Sequence, residues 1–213
     1  MLSQMNNENT KQLNIENQEI KKIIRFKNNP PQAKIKELKK DPVKIYYYFY
    51  NSPIGEILLG STDNYLVYYG FIDDLSLEEN YINDIKTIFP KSQLEKSENK
   101  TLFYYKKIFN PEDNEKIPTG IKGTNFFIKV LKVLCKTKNF ELLSYKELAE
   151  KAGFKNASRA AGTAMKNNPV AYVIPCHRVI KSSGKPGFYS SGPERKKALI
   201  LREKNISLFK KNA

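Results

Sequence analysis

Tryptophan is missing from this chain of 213 residues, histidine occurs once, and cysteine occurs twice. Two thiols and one imidazole cannot close a four-ligand zinc site without carboxylates, which argues against a structural zinc module. No stretch approaches the roughly eighteen apolar residues of a membrane span, and the polar N-terminus has no signal-peptide core. The chain therefore reads as soluble and intracellular, a setting in which Cys135 and Cys176 stay reduced.

Acidic residues are scarce in one half only. Residues 1–122 hold 18 Lys/Arg against 17 Asp/Glu, whereas residues 123–213 hold 19 against 5. Nearly all of the net charge of +15 thus sits in the C-terminal half. A general lysine bias would raise both halves, so the asymmetry points to a polyanionic partner, with nucleic acid favoured. Hydrophobic residues at 40% and aromatics at 12% are enough for one large domain or two small ones.

Residues 1–43 are polar and rich in Asn, Lys and Gln, with weak helical character around Ile15 to Ile24. They read as a partly disordered extension. From Lys44 the texture changes. Aromatic and β-branched runs at 45–50, 57–59 and 66–69, separated by Pro/Gly and Thr-Asp-Asn turns, predict a three-stranded antiparallel meander. Residues 81–89 predict a short helix stopped by Pro90, and 92–118 read as charged and irregular. No Gly-rich phosphate loop is present in this half. The expected fold class is α/β (α+β). A small N-terminal domain over 44–118 would hold the antiparallel three-stranded sheet and a helix, followed by a mostly helical domain over 119–213 that contains a helix-turn-helix.

In that second half Thr124 is a plausible N-cap for a helix carrying Phe126, Phe127, Val130, Leu131, Val133 and Leu134, with Cys135 at its end in a packing role. Ser144 and Glu147 form a capping box for a helix that starts at Tyr145 and ends near Gly153. A second short helix over 157–166 follows, rich in small residues. This helix, tight turn and helix in a basic region match a helix-turn-helix. The small residues would let the backbone lie close to a groove, or equally suit tight helix packing. Pro193 sits where N1 prolines sit, ahead of a terminal helix over 194–203 and a basic tail expected to fray.

The chemistry converges on the run from Asn168 to Val179, which delivers Cys176 and His177 side by side, followed by Arg178. A thiol is nucleophilic as thiolate, so a reactive cysteine needs a base or positive charge beside it. The plainer reading is a buried free cysteine next to a surface histidine.

Pro175-Cys176-His177-Arg178-Val179, with Asn168-Pro169-Val170 before it and Gly187-Phe188-Tyr189-Ser190 after it, resembles the active-site block of O6-alkylguanine-DNA alkyltransferases. Ser144-Tyr145 and Arg159 in the helix-turn-helix, and Glu203 at the end of the terminal helix, stand at that family's relative spacing. The resemblance covers residues 44–204. It implies a direct-repair protein that flips an alkylated guanine out of duplex DNA and moves the alkyl group to its own Cys176, irreversibly and once. O6-methylguanine would be the main substrate and O4-methylthymine a further candidate. His177 would activate the thiol through a bridging water, Glu203 would orient and charge-balance His177, and Asn168 would order the turn. Tyr145 would donate a hydrogen bond to the departing base. Tyr189, Ser190, Val179 and Pro175 would line the pocket. Ala157, Ser158, Arg159 and Tyr145 would meet DNA, with Arg159 filling the space of the flipped nucleotide from a helix laid in the minor groove. The resemblance implies no metal, cofactor or obligate protein partner. A monomer working in a prokaryotic cytoplasm, or a nucleus if eukaryotic, is expected.

There are departures. Phe127 and Leu131 stand where the family usually carries Gln and Trp, Ser191 replaces a frequent Gly, and residues 1–43 lack the cysteine cluster of bifunctional members. Other classes of function are a non-catalytic alkylguanine sensor, which would not need Cys176, and a helix-turn-helix regulator. A Cys-His hydrolase is a further one, without a hydrolytic substrate site to support it.

Overall fold

The computed structural model describes residues 18, 20–26, 28–110 and 115–211, with side chains through residue 205. One sheet organises the N-terminal half. Its strands are β1 (Ala33–Glu37), β2 (Lys44–Ser52), β3 (Gly55–Ser61), β4 (Leu66–Phe71), β5 (Gln93–Lys96) and β6 (Ile117–Ile121), in the order β1-β6-β4-β3-β2-β5. Strands β2, β3 and β4 pair antiparallel, while β1 with β6, β4 with β6, and β2 with β5 pair parallel.

The sheet is therefore mixed and six-stranded, and the three expected strands are only its centre. The edge strands β1 and β5 hold only two and one apolar residues among charged or amide ones, so in sequence they look like polar loop. The stretch 92–118 is likewise not irregular: it holds β5, helix α3 (Glu98–Phe109) and the start of β6. Thr101, Tyr104 and Ile108 form the buried stripe of α3, with charged residues in between hiding its period.

Each face of the sheet has its own cover. Ile45, Leu58 and Val67 pack with Ile85 of helix α2 (Glu78–Ile88) and with Phe89, its C-cap residue. Ile57, Leu59, Tyr69 and Phe71 face the other way, into the core that α3 shares with residues 170–174.

The N-terminal stretch is more than an extension. Residues 20–25 form helix α1 with Ile23 fully buried, and β1 lies parallel to β6. Arg202 donates to the carbonyl of Phe26 at 2.8 Å, and Asn28 to that of Phe109 at 2.9 Å. The domain start expected at residue 44 therefore moves toward the N-terminus, while the disorder expected of 1–17 lies outside the described residues. The boundary expected between 118 and 119 falls inside β6, one of the sheet's inner strands, so the helical half begins after Ile121.

That half contains α4 (Asn125–Leu134), α5 (Tyr145–Lys151), α6 (Ser158–Lys166) and α7 (Pro193–Lys211), with a two-residue parallel pair β7 (Leu143–Ser144) and β8 (Val179–Ile180). Thr124 caps α4 by accepting from the Phe127 N–H at 3.2 Å. The capping box of α5 is complete: the Ser144 hydroxyl accepts from Glu147 N–H at 3.1 Å, and the Glu147 carboxylate from Ser144 N–H at 2.7 Å. Between α5 and α6, Gly153 and Asn156 both take positive φ, which closes the turn. Helix α7 runs through Lys211, well beyond the end expected near Glu203 and into the tail expected to fray.

Candidate active site

Residues 168–175 form a buried turn whose ends are tied by one side chain. Asn168 donates from its amide nitrogen to the Ile174 carbonyl at 3.0 Å and accepts from Val170 N–H at 3.1 Å. The Pro169 carbonyl accepts from Tyr69 N–H at 2.8 Å, fastening the turn to β4. Inside it Tyr172 adopts φ 69°, an unusual conformation for a bulky residue, held by packing against Tyr69, Phe71, Phe109 and the Arg202 guanidinium. The turn ends at Pro175, and Cys176–Arg178 make a single buried 3-10 turn.

Behind the thiol stands a charged network, all of it buried. His177 Nε2 lies 2.8 Å from Glu203 Oε1. Arg178 clamps the same carboxylate with Nε at 2.9 Å from Oε2 and Nη2 at 2.9 Å from Oε1, and donates to the Thr137 carbonyl at 2.7 Å. The Phe140 N–H also donates to Glu203, at 2.8 Å. Burial works to raise the Glu203 pKa, but His177 and Arg178 outweigh it and hold the carboxyl well below its usual range. Burial lowers the pKa of His177 despite the pull of Glu203, so the imidazole is neutral at pH 7. A carboxylate only accepts, so Nε2 carries the proton and Nδ1 keeps a lone pair. That Nδ1 is buried with no protein partner among the described residues.

Burial also pushes the Cys176 thiol up in pKa, opposed by a hydrogen bond from the Asn168 side chain and by the positive charge of Lys196. Lys196 is fully buried, donates to the Val179 and Phe188 carbonyls, and is pulled down to about 8 by burial, against the opposing effect of Cys176. The cation beside the thiol is thus Lys196, missed in the sequence, while Arg178 faces Glu203. The signal was there: Lys196, Leu199 and Glu203 share one stripe of α7, the stripe that faces the core.

Tyr145, first residue of α5, is half-buried and hydrogen-bonds the Phe188 backbone. Burial and Cys176 both raise its pKa. Gly187 makes this approach possible: its φ is 75°, and a Cβ there would lie 2.8 Å from the tyrosine hydroxyl. Pro175, Val179 and Tyr189 are buried nearby, and Ser190 is exposed. Ser190, Ser191 and Asn168 line one end of a cleft of about 890 Å³ between the sheet half and helices α4 and α6. Arg195 spans that junction, donating to the Ser191 carbonyl at 3.0 Å and to Asp73 at 2.7 Å.

The structure thus brings together Cys176, His177, Glu203, Asn168, Tyr145, Tyr189, Val179 and Pro175. Ser158 and Arg159 stand apart from this group, exposed on the first turn of α6, with Ala157 half-buried as its cap residue. Among the described residues no three His, Cys, Asp or Glu side chains converge as metal ligands.

Fold and site together define a mixed α/β protein that buries one thiol next to an imidazole–carboxylate pair, with a helical hairpin alongside. Comparison with known proteins narrows this. Residues 125–205 match the family described as 6-O-methylguanine DNA methyltransferase, DNA binding domain. The methylated-DNA–protein-cysteine methyltransferase of Methanosarcina barkeri is 35% identical over 166 residues, covering 76% of this chain and 98% of that protein. The one from Metallosphaera sedula is 34% identical over 164 residues, covering 76% and 95%. Among solved structures, Mycobacterium tuberculosis OGT in complex with DNA superposes with a TM-score of 0.56 at 29% identity, covering 76% of this chain and 94% of that one. The chain belongs to the methylated-DNA–protein-cysteine methyltransferase family.

Proposed function

We propose that this protein reverses DNA alkylation directly, transferring the alkyl group of O6-alkylguanine in duplex DNA to Cys176 in a single turnover. The observation that carries the reading is the buried Cys176 held between Asn168 and Lys196, next to a neutral His177 whose free Nδ1 can take a proton. His177 accepts the thiol proton, directly or through one water, and Glu203 stabilises the imidazolium that results. Asn168 and Lys196 stabilise the thiolate. The sulfur attacks the alkyl carbon, an S–C bond forms as the O6–C bond breaks, and the electron pair stays with the guanine. Tyr145 donates a hydrogen bond to that leaving base, and a proton restores neutral guanine. A thioether carbon does not yield to water, a thiolate being a poor leaving group there, so the product is a permanently alkylated cysteine.

The reacting oxygen is inaccessible within a base stack, so the guanine has to be extruded. In this reading α5 and α6 act as the helix-turn-helix. Ala157, Ser158 and Arg159 meet the minor groove, and Arg159 occupies the gap left by the base. The excess of cations in residues 123–213 supplies the phosphate term of binding. The chain works as two units, a sheet half and a helical half that carries the chemistry, as a monomer without an obligate protein partner. Tyr189, Ser190, Val179 and Pro175 wall the base pocket. O6-methylguanine is the main substrate, and the protein acts in a prokaryotic cytoplasm at the nucleoid, or in a nucleus if eukaryotic.

The test is incubation with a duplex holding one O6-methylguanine, followed by mass spectrometry of the Cys176 peptide. One methyl group per protein molecule on Cys176, with guanine restored, is the expected result. Binding without modification would replace this reading with a damage sensor, and neither binding nor transfer would overturn both.

A further inference from the structure

Among the described residues two phenylalanine side chains are more than half exposed, Phe103 at 54% and Phe188 at 57%. A single exposed apolar side chain is ordinary and argues nothing by itself. Phe103 fits that description: it lies on α3 in the sheet half, edge-on to Tyr104 and beneath Lys107. Phe188 differs in three respects.

First, its backbone is pinned by the proposed site. The Lys196 ammonium donates to its carbonyl at 3.3 Å, and Tyr145 hydrogen-bonds the same residue's backbone. Second, it follows Gly187, whose positive φ and close approach to Tyr145 set the direction of the loop. Third, the Lys166 ammonium stands 5.8 Å from its ring centroid, at the last turn of α6. A ring with a fixed base, a cation beside it and a face left to solvent is prepared to stack on another flat, electron-rich group. Its neighbour Tyr189 turns inward toward the thiol and is buried.

We propose that Phe188 is a stacking platform for an unstacked nucleobase at the mouth of the Cys176 pocket, with Lys166 placed to meet that nucleotide's phosphate. The inference rests on the DNA-repair reading and extends it. Extruding a base breaks its stacking on both sides and exposes the faces of its neighbours, a cost that an aromatic surface at the exit offsets. The base on the platform is either the extruded guanine or an adjacent base whose partner in the stack has left.

The chain contains no tryptophan, so Phe188→Trp creates a sole indole reporter at this position. In a Cys176→Ala background, where the complex is not consumed, the indole emission should be quenched by a duplex carrying O6-methylguanine and not by an undamaged duplex at equal occupancy. Quenching by free O6-methylguanine base as well assigns the extruded base; quenching by DNA alone assigns a neighbour. Phe188→Ala should weaken binding of the damaged duplex about tenfold, leave the undamaged duplex unaffected, and be rescued by Phe188→Trp. Tight binding of the damaged duplex by the Cys176→Ala, Phe188→Trp protein with unchanged indole emission, or a Phe188→Ala protein that binds damaged DNA as the parent does, would overturn the platform and leave the repair reading standing. Absence of binding and of transfer in the unaltered protein would overturn the repair reading itself, and the platform with it.

Discussion

Cys135 and Cys176 are both free thiols, one half-buried at the end of α4 and the other buried in a 3-10 turn. Burial raises both pKa values, that of Cys135 to about 12. Counting cations along the chain would favour Cys135, which has Lys136 and Lys138 close by, yet both lysines are exposed. Arg178 and Lys116 act on Cys135 only against a dominant burial effect. Cys176 receives a hydrogen bond from Asn168, which the chain places eight residues earlier. It also feels a buried ammonium, Lys196, brought from twenty residues later. Burial acts on both sulfurs alike, so the difference between them lies in which polar groups the fold aims at each, rather than in the charge of sequence neighbours.

The largest effect that would break this contrast is at the sulfur itself. Cys176→Ser should lower methyl transfer by on the order of a thousandfold or more. Cys135→Ser should leave the rate unchanged, with transfer measured from a labelled methyl group in single-turnover reactions. Equal losses in the two variants would show the distinction to be wrong.

Next comes the carboxylate behind His177. Glu203→Gln leaves Arg178 buried without its counter-charge and should cost about 3–5 kcal/mol of stability, read from urea unfolding. It should also flatten the acid side of the stability profile. The folded pKa of Glu203 is depressed, so its contribution is present above the ordinary value of 4.5 and is lost as pH falls through the folded value. The His177 pKa is depressed too, so the unfolded chain binds a proton below about 6.5 that the folded one refuses. Stability should therefore begin to fall below pH 6.5 and fall further below 4.5.

Lys196→Met sharpens the contrast by removing the cation that sets Cys176 apart. Transfer at pH 7 should drop about tenfold for each unit by which the thiol pKa rises, and the pH–rate profile should shift to higher pH. The parent protein's stability carries a pH dependence of its own from this residue. The ammonium pKa is depressed from 10.5 to about 8, so burying the charged form costs stability below pH 8, and that cost fades as pH rises toward 10.5. The methionine variant should be slower at pH 7 with its profile moved to higher pH, and a slower variant with an unshifted profile would make Lys196 merely structural.

The smallest effect belongs to a device that touches neither sulfur. Ser144→Ala removes the N-cap of the helix that carries Tyr145 and should cost about 1 kcal/mol, seen as a modest shift in thermal midpoint.

Features written in adjacent residues were legible. The capping box at Ser144 and Glu147, the Thr124 cap, the small-residue helix and the Asn168-to-Cys176 run all depend on contacts a few positions apart. The edge strands β1 and β5 were not legible, because their few apolar residues look like those of a loop until a partner strand is known. Neither was α3, whose buried stripe is interrupted by lysines. The inward placement of Lys196 was hard to see because Lys197 and Arg195 stand on either side of it.

The amino-acid order by itself determined the nucleophile candidate, its imidazole neighbour, the local caps and turns, and the charge asymmetry, since each is a property of near neighbours or of composition. The pairing of Glu203 with His177, implied by the family resemblance, is met at 2.8 Å, whereas only the tertiary structure decided which cation faces the thiol and that residues 20–26 and 28–37 belong to the fold. Those outcomes depend on groups far apart in the chain meeting in a low-dielectric interior, where an electrostatic interaction is strong enough to set a pKa and an unpaired charge is too costly to keep.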